Sequence, residues 1–214
     1  MDESFAFFLQ NFGSPRALRS VEPSYAVQYK GRLPTKLLDY WIEHGFAGYG
    51  DGLFWIVDPG EYEDVLDHLL EATPFEDEDD YHVVARTAFG TLFVWGKKTG
   101  MSLQINAPHG VIFPDRGSAK RVQDTSDDFA LQIFFECITR ESADFADAQG
   151  KPLFARTLKK LGPLEEDEVY GFEPALGLGG KASLASLRKL KLVPYLDILA
   201  GINTPRLLEN PLLK

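Results

Sequence analysis

The segment from Tyr81 to Ala107 constrains the fold more than any other part of this 214-residue chain. Three apolar runs, YHVVARTAF, TLFVWG and MSLQINA, are separated only by Gly90 and by a KKTG turn. Short runs rich in β-branched and aromatic residues, joined by turn chemistry, read as a meander of antiparallel hairpins. In TLFVWG, alternation sends Leu92 and Val94 to one side and Phe93 and Trp95 to the other. Both faces are then apolar, so this strand is expected to be central and covered on both sides. A fourth run, GVIFP, can extend the meander.

Helical periodicity dominates elsewhere. Residues 3 to 12 read as a short amphipathic helix stopped by Gly13 and Pro15, and residues 23 to 30 as one or two helical turns. Pro34 opens a helix in which Leu37, Leu38, Trp41, Ile42 and Gly45 follow the spacing of a buried stripe. The segment AGYGDG reads as a turn leading into LFWIV, a short strand. Asp58 is a candidate N-cap for a helix over residues 59 to 71, with Pro59 first and Glu61 completing a capping box. Its buried side uses Tyr62, Val65, Leu66, Leu69 and Leu70. Residues 114 to 124, PDRGSAKRVQD, have linker composition. Beyond them, residues 126 to 139 predict a helix with Phe129, Ile133, Phe134 and Cys137 on one side, and residues 152 to 161 predict another. VYGFEPALGLGG reads as a strand and turn, and SLASLRKLKLVPYLDILAGI as closing helical segments interrupted by Pro194. The expected fold class is α+β, with an antiparallel meander sheet covered by helices in the N-terminal half and a mostly helical C-terminal half.

The charge is unevenly placed. Between Asp58 and Asp80 stand eleven carboxylates and no Lys or Arg. Residues 1–118 carry 18 acids against 9 bases, whereas residues 119–214 carry 14 against 13, so the net charge of −10 sits almost wholly in the first half. A field of this sign repels nucleic-acid phosphates and anionic lipid and attracts basic partners. The run is either a solvated face that keeps the protein soluble or a binding surface. A hydrophobic content of 44% places the chain among globular proteins. No apolar run approaches the ~20 residues that span a bilayer, and MDESFAFFLQNF carries acids where a signal peptide carries Lys or Arg. A cytoplasmic location is expected.

The search for chemistry is mostly negative. His44, His68, His82 and His109 are far apart in sequence and form no H-E-x-x-H pattern, and the single cysteine cannot build a zinc ribbon. Cys137 lies in an apolar helical run and is expected to be a buried, inert thiol. LGLGG at residues 176 to 180 lacks the Lys-Ser/Thr of a phosphate loop and reads as a turn. The DEDD string at 77 to 80 lacks the alternating spacing of a calcium loop. Tyr49, Phe54, Trp55, Phe89, Phe93 and Trp95 lack the basic neighbours of a base-stacking platform, so they read as core. No catalytic residue, metal site or cofactor is expected.

Two stretches resemble known families. LPTKLLDYWIEHGFAGYGDGLFWIVDPGEYEDVL, followed by TPFEDEDDYHVVARTAFGTLFVWG and its KKTG turn, is similar to the GAD-like domain. EVYGFEPALGLGGKASLASLRKLKLVPYLDILA resembles the C-terminal domain of the type VI secretion DNase immunity proteins. The departures are the loop between the halves and the tail TPRLLENPLLK. The resemblance implies a GAD-like domain over 1–115, a C-terminal immunity-protein domain over 116–214, and a cytoplasmic bacterial protein. Its partner would be a cognate toxin encoded beside it, a DNase in the best-known pairs. From charge, the candidate contact residues are Asp58, Glu61, Asp64, Glu76, Asp77, Glu78, Asp79 and Asp80. Neither direct nucleic-acid binding nor membrane binding is expected. The alternative is a non-catalytic ligand-binding or regulatory module, which a deep apolar pocket with convergent polar groups would favour.

Overall fold

The computed structural model describes residues 2–208; Glu209 to Lys214 of the tail lie outside the described residues. In chain order the elements are α1 (Glu3–Phe12), β1 (Arg16–Arg19), α2 (Pro23–Ala26), α3 (Thr35–His44), β2 (Phe46–Tyr49), β3 (Phe54–Ile56), α4 (Glu63–Leu70) and β4 (Tyr81–Thr87). There follow β5 (Thr91–Gly96), β6 (Gly100–Asn106), β7 (Val111–Pro114), α5 (Ser118–Asp124), α6 (Asp127–Cys137), α7 (Arg140–Ala143) and α8 (Phe154–Leu161). The last are β8 (Glu168–Phe172), β9 (Leu187–Lys191), α9 (Leu192–Ile202) and β10 (Arg206–Leu207).

The meander β4–β7 forms as its turn chemistry dictates, but it is only the middle of a larger sheet. Eight strands pair in the order β1-β2-β3-β4-β5-β6-β7-β10. All neighbours are antiparallel except β10, which runs parallel to β7. Helices cover both faces. On one, Phe54 and Phe93 meet Phe8 of α1 and Phe134 of α6, with ring centroids 5.5 and 5.2 Å apart. On the other, Leu69 of α4 and Ala200 of α9 face Ile105 and Ile112 across a small cavity. Every residue of β5 is buried, as a central strand with two apolar faces requires. One hydrophobic cluster runs without interruption from Phe5 to Leu199.

Several local expectations need correction. Phe46–Tyr49 is a strand, and the turn is confined to Gly50–Gly52. Gly48 is there for packing: a Cβ would lie 2.9 Å from the Trp55 indole, its partner on β3. Gly45 ends α3 with φ +67°, and a Cβ there would lie 2.4 Å from the Arg19 carbonyl. Residues 59–61 make a separate 3-10 turn before α4, capped by Asp58 through the Gly60 N–H; Glu61 turns to Arg19 instead of closing a capping box. The supposed linker contains α5, whose Val122 and Ser118 sit over Gly100 at the start of β6.

In the C-terminal half, SLRKLK is not helical. Its residues 187–191 form β9, paired with β8 from Leu187↔Phe172 to Lys191↔Glu168. The three-residue spacing of Leu184, Leu187 and Leu190 imitates a helix, but Leu184 lies in a 3-10 turn before the strand and only Leu187 and Leu190 belong to it. Pro194 does not interrupt α9, because it falls in the first turn, where its missing N–H has no intrahelical partner to lose. On α6 the buried residues are Ala130, Leu131 and Phe135, while Phe129 and Cys137 are exposed. This helix packs on α1 through Phe135 and on the sheet through Phe134, so its run of apolar residues defines no single stripe. Ile42, expected on the buried stripe of α3, is exposed as well; Tyr40 takes its place.

Candidate functional site

The acidic run folds into two separate groups. The first surrounds Arg19 on β1. Asp58, only 8% exposed, accepts hydrogen bonds from the Gly60 N–H (3.1 Å) and the Tyr25 hydroxyl, and its other oxygen lies 3.5 Å from the Arg19 guanidinium. Glu61 pairs with the same guanidinium at 2.8 Å, and burial raises the pKa of its carboxyl. Burial, reinforced by the hydrogen bond to Asp58, also pushes the Tyr25 hydroxyl above its ordinary pKa.

The second group borders a polar cleft of about 540 Å³ between α4 and residues 76–81. Glu76, Asp77, Asp79 and Asp80 line it together with Asp67 and Glu71 of the α4 side. Glu76 accepts from the Ala72 N–H (2.8 Å) and Glu78 from the Tyr81 hydroxyl (3.2 Å). Asp79 ties down the turn between β5 and β6: it accepts from the N–H groups of Asp80, Lys98 and Thr99 and from the Thr99 hydroxyl, each at 2.8 Å. Asp80 receives both prongs of the Arg32 guanidinium at 2.8 and 2.9 Å, and this fork holds its carboxyl below the usual pKa. His82, 3% exposed, stands 3.3 Å from Asp80, and burial lowers its pKa.

The eight expected residues therefore divide by availability. Asp58, Glu61, Asp79 and Asp80 are engaged internally, Glu76 and Glu78 each accept one local hydrogen bond, and Arg19 and Arg32 supply cations that the sequence run itself lacks. Asp64 and Asp77 are exposed, and their side chains make no hydrogen bond or ion pair among the described residues. In the DEDD string Glu78, Asp79 and Asp80 meet different partners and Asp77 meets none, and no group of three or more His, Cys, Asp or Glu among the described residues is placed to hold a metal ion. Sequence reading passed over Arg19 and Arg32 because their partners lie 39 and 48 residues away.

A second concavity, of about 420 Å³, lies between α6 and the sheet. Phe93, Met101, Leu103, Phe113 and Phe134 line it, with Cys137 at its rim and the Asp115–Arg121 ion pair beside it. Cys137 is thus an exposed thiol, correcting the expectation of a buried one. The histidines are dispersed: His44 stacks on Phe5, His109 on Phe145, and His68 contacts Asp197 of α9 at 2.9 Å. Among the described residues no helix is long and apolar enough to cross a membrane.

Comparison with known proteins bears on the fold and the family. The chain is similar over its whole length to the crystal structure of Atu4351 from Agrobacterium tumefaciens, with a TM-score of 0.85 and 25% identity, covering 100% of this chain and 96% of that one. No curated protein matches the chain. Residues 128–203 match the C-terminal domain of the T6SS immunity protein Tdi1. Residues 3–109, which span the helix-and-strand block and the acidic run, match the GAD-like domain. The chain belongs to the GAD-like domain family and carries, after that domain, a C-terminal domain of the Tdi1 immunity-protein kind.

Proposed function

We propose that this protein is a type VI secretion immunity protein that binds a cognate toxin and neutralises it by protein–protein contact. The observation that carries this reading is the match of residues 128–203 to the Tdi1 C-terminal domain. The toxin we propose is a DNase, because an acidic surface can occupy the basic groove that such an enzyme presents to DNA phosphates. The division we propose is a GAD-like domain over 1–115 and an immunity domain over 116–214. The protein would act in the cytoplasm, without catalysis of its own.

The contact surface we propose is the acidic array of Asp58, Glu61, Asp64 and Glu76 to Asp80. Within it, Asp64 and Asp77 are free to meet a partner. Asp58, Asp79 and Asp80 set the shape of the surface and hold Arg19 and Arg32 in place.

Co-expression tests the reading. The neighbouring gene, induced alone in a heterologous host, is expected to kill, and this chain is expected to restore growth. Killing that persists with this chain present overturns the assignment for that pair. A second reading, a non-catalytic ligand-binding module, is favoured by the apolar concavity under α6. Saturable binding of a small apolar ligand, blocked by Leu103→Trp, would support it.

A further inference from the structure

The concavity between α6 and the sheet has one floor residue out of keeping with its neighbours. Strand register sets Ala85 of β4, Phe93 of β5, Gln104 of β6 and Phe113 of β7 opposite one another in a single cross-strand row. Residues directly opposite on adjacent strands share a face of the sheet, and here that face meets α6. Phe134 of α6 covers Phe93 at 5.2 Å, and Phe93 is 6% exposed. Gln104 and Phe113 are only half-buried, and the space above them is the concavity of about 420 Å³. An amide thus stands between two phenyl rings in a row that is otherwise apolar.

The other polar groups of the lining are already engaged. The Ser102 hydroxyl lies 2.8 Å from that of Thr99. Asp115 pairs with Arg121 and accepts from the Gly117 N–H at 2.9 Å. Apart from the Cys137 thiol at the rim, only the Gln104 side chain makes no hydrogen bond or ion pair among the described residues of this lining. It presents a carbonyl acceptor and N–H donors side by side.

Size, charge and polarity together restrict what can enter. The volume lies in the lower part of the range of small-molecule sites, which are mostly apolar with a few placed polar groups. Asp115 and Arg121 are the only charged side chains of the lining, and their charges cancel. An ion entering would lose water with no counter-charge to meet it. Phe93, Met101, Phe113, Ile133 and Phe134 accept an apolar body, and the Gln104 amide accepts one polar group on it.

We propose that this concavity binds a small neutral molecule with an apolar body of about two fused rings and one ketone or amide group, to which Gln104 hydrogen-bonds. The proposal rests on the ligand-binding reading of the same concavity and is independent of the toxin.

Prodan, a neutral naphthalene ketone whose emission moves to the red when its carbonyl accepts a hydrogen bond, tests it on the full chain. Prodan is expected to bind saturably, and anilinonaphthalene sulfonate, of similar size but anionic, about tenfold or more weakly. Gln104→Leu is expected to weaken Prodan binding about three- to tenfold and to move the emission of the bound probe to the blue. Ile133→Trp, which fills the concavity from its α6 wall, is expected to abolish binding. On the unaltered chain, bound Prodan is expected to slow alkylation of Cys137 about threefold or more, a readout that depends on no variant. If Prodan binds and protects Cys137 but Gln104→Leu changes neither affinity nor emission, the proposed ligand class is overturned while the ligand-binding reading stands. Equal binding of the sulfonate has the same meaning. Absence of Prodan binding, or binding that leaves Cys137 and the folded Ile133→Trp variant indifferent, overturns both.

Discussion

Replacing Asp79 with alanine separates a structural carboxylate from a merely solvated one. Asp79 accepts from three backbone N–H groups and one hydroxyl, and two of the backbone donors, Lys98 and Thr99, lie in the turn that joins β5 to β6. A hydrogen bond to a charged group is worth roughly 1.5–3 kcal/mol net when buried. This site is half-exposed, and water replaces part of what is lost, so the whole substitution is expected to cost about 2–3 kcal/mol. In a chain of this length each kcal/mol moves the melting temperature by about 2–4 °C, giving a fall of roughly 5–10 °C. Asp77→Ala, two residues away and without a side-chain partner, is the matched control and should stay within about 0.5 kcal/mol of the parent. Urea unfolding followed by tryptophan fluorescence measures both. If the acidic string were only a set of mutually repelling solvated charges, each substitution would relieve repulsion and leave stability equal or higher. Equal midpoints for Asp79→Ala, Asp77→Ala and the parent would therefore refute the assignment of Asp79 to the turn.

Gly48→Ala should destabilise by about 1–3 kcal/mol, because the new methyl meets the Trp55 ring at 2.9 Å inside a packed sheet; an unchanged urea midpoint would show that the indole can move aside. Burial keeps His82 neutral in the fold, so the unfolded chain takes up a proton first as pH falls; stability is full above about pH 6.5 and declines below it until the depressed folded pKa is passed. His109 is depressed for the same reason and acts in the same window, so His82→Gln should remove part, not all, of the slope in urea midpoint between pH 7 and 5. Cys137 should react with a thiol reagent in the native protein at a rate near that of a free thiol, and protection until unfolding would contradict its exposure. Reversing Asp64 and Asp77 to lysine should slow toxin association about tenfold or more at low salt with little change in stability; a rate that does not respond would place the contact elsewhere.

How much was legible follows from the kind of signal each element carries. The meander was readable because alternation and turn residues agree over one short stretch, and the apolar residues on both sides of TLFVWG revealed its central place. The strands outside the meander were harder. β2 carries Gly48, which local rules assign to a turn, and only the Trp55 ring paired with it on the neighbouring strand β3 explains it. β9 has leucines three apart and becomes a strand because β8 lies beside it. The acidic run was counted correctly, yet counting along the chain could not show that Arg19 and Arg32 return from outside to neutralise part of it. The exposure of Phe129 and Cys137 was equally hidden, since α6 meets two neighbours and its sequence favours neither.

The parallel pairing of β10 with β7 also sets an order of events during synthesis. Val111 and Ile112 reach the edge of the meander early, but their partners Arg206 and Leu207 are translated roughly 95 residues later. Until then the nascent sheet presents an unpaired apolar edge, the form of exposed backbone most prone to join another chain. A ribosome that stalls between these points would hold that edge open, so the yield of folded protein should depend on how quickly the second half is translated.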